Sequence, residues 1–299
     1  MEPHLKLPRS VPLIVLLSFA GGLAAPRSAA AAPFFFSTGN VNGQMASAAR
    51  PDSGTPFEIE TGDDFVLNGA TSITNASFTG LLVGPSLSVA DFIIEIYRVF
   101  PLDSDVGRTS GAPDFSTPEV PTRVNSPSDV AFDSRDSSQL SFTTTVLNST
   151  FTAANSVQPG GIHPKPNQTT GGNGPITGQE VTFNVTFNTP FSLPADHYFF
   201  VPQVRLTNGE FYWLSSVRPI VSPGTPFAPD LQAWARDGFL DPDWLRIGTD
   251  IVGGTTPPTF NMAYSLTGTV PEPGTLSLLG IGLAATARRM LGRRSRTRV

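Results

Sequence analysis

Cysteine is absent from the 299 residues, so no disulfide can staple this fold and no thiolate can act as nucleophile or zinc ligand. Histidine is almost absent as well, with His4, His163 and His197 the whole supply, which excludes the usual structural zinc sites. His197 stands beside Asp196, but neighbours along a strand face opposite ways and no G-x-S-x-G elbow accompanies them. Ser-His-Asp hydrolysis therefore has no local support. No sequence repeat of fixed period is present, which argues against solenoids and propellers. With no covalent or metal staple in view, the chain must be held by its core, and a chain of this length can bury enough surface to do so as one domain.

What is plentiful is acid and phenylalanine. Residues 32–270 hold 10 basic side chains against 22 acidic ones, a net charge of −12 that the whole-chain value of −5 conceals. Such a domain repels phosphate backbones and anionic lipid, so nucleic acid is excluded as a partner. The 22 phenylalanines, with 28 glycines and 29 prolines, point to strands joined by many tight turns.

Along the chain, residues 32–56 have little periodicity and read as a flexible leader that adds at most an edge strand. From Phe57 the pattern sharpens: Phe57 and Ile59 alternate with Glu58 and Glu60, and residues 73–83 continue the strand signal. Residues 91–100, rich in β-branched and aromatic side chains, form a central strand, and residues 102–138 are a long polar excursion. The clearest strand is 180–188, with Val181, Phe183, Val185 and Phe187 on one face and Thr182, Asn184 and Thr186 on the other. Thr207-Asn208-Gly209 predicts a type I′ hairpin between residues 197–206 and 210–216, and Pro202 belongs at an edge or bulge. Residues 231–236 are the one short helix the pattern allows, and residues 260–266 close the domain as a final strand. The sum is an all-β fold: an antiparallel two-sheet β-sandwich, jelly-roll-like, over residues 57–269.

The two ends are different in kind. Lys6 and Arg9 precede the apolar stretch 11–23, and the small residues 28–32 follow, so residues 1–31 read as a secretory signal peptide cut by signal peptidase near Ala30 or Ala31. At the other end, residues 270–299 hold Pro271-Glu272-Pro273, an apolar segment 275–287, and Arg288, Arg289, Arg293, Arg294, Arg296 and Arg298. The prolines keep their segment extended and open to an enzyme cleft. The arginines act as a cytoplasmic basic stop, leaving everything before the apolar segment outside. As a helix, residues 274–287 reach roughly 21 Å against a hydrocarbon core of about 30 Å, short for a permanent span, which leaves a transient span of the inner membrane or, alternatively, a basic tail lying on anionic lipid.

In this order of parts the tail resembles the PEP-CTERM proteins, whose tails carry a Pro-Glu-Pro motif, a transmembrane stretch and a terminal basic cluster. The resemblance implies recognition by exosortase, a membrane-embedded protease of Gram-negative bacteria. It further implies a product released to the cell surface or extracellular space, commonly in organisms that build an exopolysaccharide matrix. About thirty residues carry the resemblance, and they speak of transport only.

For the domain itself, candidate chemistry is thin. Asp103 and Asp105 sit two apart before Gly107, as calcium ligands do, while an Asx-turn explains the same pattern; Asp129, Asp133 and Asp136 lie in a similar loop. Trp213, Trp234 and Trp244 could stack on sugar rings if exposed, or fill the core if not. Paired carboxylates for glycoside hydrolysis are available in number, but nothing selects a pair and solvated acids on loops explain them equally. The expectation is a non-enzymatic surface or matrix protein, with a carbohydrate-binding module of the exopolysaccharide matrix as the alternative.

Overall fold

The computed structural model describes residues 31–54, 57–104, 120–162 and 169–271, all of which belong to one compact unit spanning Ala31–Glu272. Residues 1–30 of the expected signal peptide and nearly all of the expected sorting tail lie outside the described residues. Thirteen strands carry the fold, and the single helical segment among the described residues is a π-helical turn at Ile247–Val252.

The strands are β1 (Ala32–Ser37), β2 (Val41–Ala48), β3 (Ile59–Leu67), β4 (Thr71–Arg98), β5 (Asp133–Asp136), β6 (Leu140–Ala153) and β7 (Asn155–Val157). They continue with β8 (Ile176–Leu193), β9 (Asp196–Ser216), β10 (Trp234–Asp237), β11 (Leu245–Arg246), β12 (Asn261–Met262) and β13 (Tyr264–Val270). Hydrogen bonding joins them into one network with the path β1-β13-β4-β9-β3-β10-β11. All pairings of named strands are antiparallel except the short β2–β7 contact. The all-β expectation holds, but the two sheets of a sandwich are not separable by hydrogen bonding.

The layering comes instead from two long strands that fold together. Phe78 and Phe92 both lie on β4, and at roughly 3.3 Å per residue a straight strand would hold them about 46 Å apart. Their rings are 5.8 Å apart. On β9, Phe200 and Trp213 are likewise 5.9 Å apart. The β4–β9 register slips between Val83 and Asp91. There Gly84 adopts φ +143, and a Cβ on it would meet the Gly209 Cα at 2.5 Å. The paired glycines let two backbones bend at one place.

This corrects the hairpin expected at Thr207-Asn208-Gly209, because β9 runs unbroken through it and Asn208 pairs with Ser86. The local sequence favours a sharp bend, and the partner strand turns that bend into a shared kink. Pro202 fits its predicted setting. Val204 donates its N–H to Ala49, so Pro202, two residues back, turns its nitrogen away from β4, where β3 pairing has ended at Phe200 and β2 pairing begins at Tyr212.

Between the folded halves lies an aromatic core in which Phe78 stacks on Phe183 at 5.0 Å and Phe92 on Phe142 at 4.8 Å. Each such ring contributes about 1.5–3 kcal/mol by leaving water. A second, smaller core covers the other face of β4 and β9, formed by Tyr97, Phe199, Val201, Leu231, Trp234 and Trp244.

Two expectations fail here, each because neighbouring elements override the local pattern. The leader 32–56 contributes β1 and β2, with Met45, Ala46, Ala48 and Ala49 at 0% exposure, because small side chains packed by neighbours need no periodicity of their own. The short helix over 231–236 is replaced by β10, whose Trp234–Asp237 pairs with Gly62–Ile59 on β3. Free backbone donors on an open strand edge outweigh weak helix propensity.

Candidate functional site

The outward face of β6, β8, β4 and β13 presents hydroxyls and amides in register. One row runs Ser141, Thr186, Asn75, Thr267, and the next runs Thr143, Asn184, Ser77, Ser265. Cross-strand hydrogen bonds order it: Asn75 Nδ2 donates to Thr186 Oγ1 at 2.9 Å, and the Thr79 and Thr182 hydroxyls lie 2.9 Å apart. A depression of about 330 Å³ opens over these rows and no charged residue lines it. In a domain of charge −12, an uncharged face of this kind suits a neutral polyhydroxylated ligand.

The second constellation is partly covered: Glu60 is buried, and Glu58 and Glu95 are half-buried. Glu58, Glu60 and Glu95 bring carboxylate oxygens within 4.8 Å of one another. Strand alternation places them: Glu60 faces Arg236 across the β3–β10 pair, while Glu95 and Tyr97 share one face of β4. Arg236 pairs with Glu60 and lies 4.4 Å over the Trp244 ring. Tyr97 Oη is 2.6 Å from Glu60 Oε1 and 3.0 Å from Glu95 Oε2, and it accepts from Arg236 Nη2 at 2.9 Å. Gln203 Nε2 donates to Glu95 at 3.1 Å.

Burial first, and then the Glu60 charge, push Glu95 up to about 8 and Glu58 up to about 7. Burial and Glu60 also push the Tyr97 hydroxyl up. Burial works against the Arg236 charge, but Glu60 and Tyr97 beside it more than offset that and hold it protonated. The sequence held the signal in Glu58-Ile59-Glu60 and Glu95-Ile96-Tyr97, each a same-face pair at strand spacing, but nothing in either pattern says what packs over that face.

A third acidic group surrounds Asp63 and Asp64. Met262 N donates to Asp63 Oδ2 at 2.8 Å, and Asp64 Oδ2 lies 2.6 Å from His197 Nε2. Burial and the neighbouring Asp64 raise Asp63 well above the usual carboxylate range. Burial lifts Asp64 to about 6 against the opposing pull of His197. His197 thus finds its carboxylate on β3, not at Asp196, which pairs with Arg98.

The tryptophans expected as stacking platforms are corrected. Trp213, Trp234 and Trp244 are 0%, 1% and 0% exposed, so no indole face is open to a sugar. Trp213 Nε1 donates to Ala263 O and Trp244 Nε1 to Ser128 O, at 3.0 and 3.1 Å. Both sides of β9 and β10 are covered, which the alternating pattern could not reveal. Arg246 pairs with Asp250, not with a ligand-facing Trp244. Asp103 lies 3.4 Å from the Arg98 guanidinium, and its intended partner Asp105 is outside the described residues. Asp129 pairs with Arg123 and Asp133 with Arg135, while Asp136 accepts from Ser138 in a local turn.

The two ends of the domain meet on one strand pair. Ala32 pairs with Val270, and β13 is held between β1 and β4. Pro271 follows at once and is exposed; Glu272, Pro273 and the six arginines lie outside the described residues. Among the described residues no helix is long and apolar enough to cross a membrane. No curated protein and no solved structure matches the chain. Residues 269–294 match the PEP-CTERM protein-sorting motif, so the chain carries the tail of an exported protein sorted through exosortase.

Proposed function

We propose that this protein is a non-enzymatic component of the cell surface or extracellular matrix. In this reading signal peptidase removes residues 1–31 after general secretory export. The apolar segment 275–287 then holds the chain transiently in the inner membrane, and exosortase acts near Pro271-Glu272-Pro273. The supporting observation is the sorting match over 269–294, which begins on the last residues of β13 so that the motif leaves the fold directly. Replacing Pro271, Glu272 and Pro273 with alanine in the native host is expected to leave the full-length chain in the membrane fraction. Unchanged processing and release would overturn the reading.

The uncharged face favours a second reading, a carbohydrate-binding role in the exopolysaccharide matrix. Its support is the pair of hydroxyl and amide rows centred on Asn184 and Thr186, with the depression of about 330 Å³ above them. Hydroxyl-rich ligands need paired donors and acceptors in a charge-free setting, and these rows offer both. A glycan array with purified protein is expected to report neutral polysaccharide, and binding to none would remove this reading. Repeating the array with chelator tests whether Asp103 and Asp105 tie binding to calcium.

A further inference from the structure

We propose that Glu58, Glu60, Glu95 and the side-chain oxygen of Gln203 form a binding site for a divalent cation, with calcium the ion that fits. Two oxygens bound to one calcium at about 2.4 Å can lie up to about 4.8 Å apart. The carboxylate oxygens of Glu58, Glu60 and Glu95 all fall within 4.8 Å of one another.

An independent observation comes from Gln203. It is fully buried, its Nε2 reaches Glu95, and Oε1 on the same head group has no hydrogen-bond partner. A buried amide oxygen without a donor is costly, and a half-turn of the amide exchanges its two ends. That turn aims a neutral oxygen ligand at the carboxylates.

Charge and access agree. Glu58, Glu60 and Glu95 have one guanidinium close by, Arg236, which is shared with Asp241, so the three carboxylates can ionise together only when a further cation joins them. Tyr97 Oη has one proton for two carboxylates, Glu60 and Glu95, so its second contact needs either a carboxyl proton or a cation beside it. Glu58 and Glu95 are only partly buried, giving the ion a way in, while Glu60 anchors the inner side. All donors are oxygens, which suits calcium over softer metals.

The test is calorimetric and thermal titration of the full chain with calcium chloride in metal-free buffer near neutral pH, with magnesium chloride as comparison. The expected result is one bound calcium with a Kd in the range of about 10⁻⁴–10⁻³ M or tighter and a melting temperature that rises with calcium. Glu95→Gln, nearly isosteric, is expected to weaken binding at least about tenfold while circular dichroism stays native. Asp103→Asn, outside the cluster, is expected to leave binding unchanged. No heat and no thermal shift at about ten times that Kd range would overturn the site. So would calcium binding that survives Glu95→Gln or is lost in Asp103→Asn.

Discussion

The two halves of β4 make an instructive pair. Asn75, Ser77 and Thr79 in the first half and Glu95 and Tyr97 in the second follow the same alternation against a buried apolar face. In the first half the polar residues stay at the surface, neutral and in register with β8 and β13. In the second half they are roofed by Leu231, Trp234 and Trp244, and the carboxylates must share protons, Arg236 or a cation. A polar side chain is thus a surface group or a buried constraint according to what packs over its sheet face, and the strand itself does not decide. Among the acids, Glu60, Asp63, Asp64, Asp129, Glu180, Asp237 and Asp243 are all buried, where a solvated setting was expected for the acids as a group.

The contrast can be broken most severely at Arg236. Arg236→Met keeps much of the contact with Trp244 but leaves the buried Glu60 without its guanidinium. The expected cost is about 3–5 kcal/mol in metal-free buffer, read by urea denaturation. A loss under about 1 kcal/mol would mean the roofed half tolerates uncompensated charge and the contrast drawn here is wrong.

A middle-sized effect is expected at Asp63, whose charge is opposed by that of Asp64, the next residue on its strand, and of Asp230 from the loop before β10, with Tyr264 of β13 close by. Its folded-state pKa lies above its unfolded value, so folding takes up a proton. The associated stability is present at low pH and is lost as pH rises above about 4, by up to about 1.4 kcal/mol per pH unit until the folded pKa is reached. Asp63→Asn is expected to flatten the pH dependence of the melting temperature between about pH 4 and 6, with Asp64 contributing the slope that remains. An unchanged slope would place Asp63 outside the protonation balance.

The smallest effect on stability should come from the open half. Asn184→Arg and Thr186→Arg are exposed changes on β8 and are expected to shift unfolding free energy by no more than about 0.5 kcal/mol each. Any polysaccharide binding should fall at least about tenfold, because a charge then stands in a neutral depression. Full retention of binding would move the ligand away from this face.

Much of the fold was legible. The strand over 180–188 lies within β8 with Val181, Phe183, Val185 and Phe187 buried because it carries a strong two-residue period, and residues 91–98 of the expected 91–100 strand form the end of β4, as their β-branched and aromatic side chains predict. Where the period is weak, reading failed: Met45 to Ala49 is packed core written in small residues, and Trp234 to Asp237 is a strand only because β3 offers an edge. The carboxylate cluster escaped for another reason. Glu58, Glu60, Glu95, Gln203 and Arg236 come from distant stretches, and no spacing rule links them.

The amino-acid sequence by itself determined where the protein is sent and what kind of secondary structure it forms. The sorting signal is a contiguous string, and strand periodicity is local, so neither needs a fold to be recognised. Only the tertiary structure decided that β4 and β9 bend as one ribbon at Gly84 and Gly209, and that a second core lies over their outer face. Burial depends on contacts between residues far apart in the chain. The same alternating pattern therefore ends as a neutral hydroxyl face at Thr79 and as a roofed, half-buried acid cluster at Glu95.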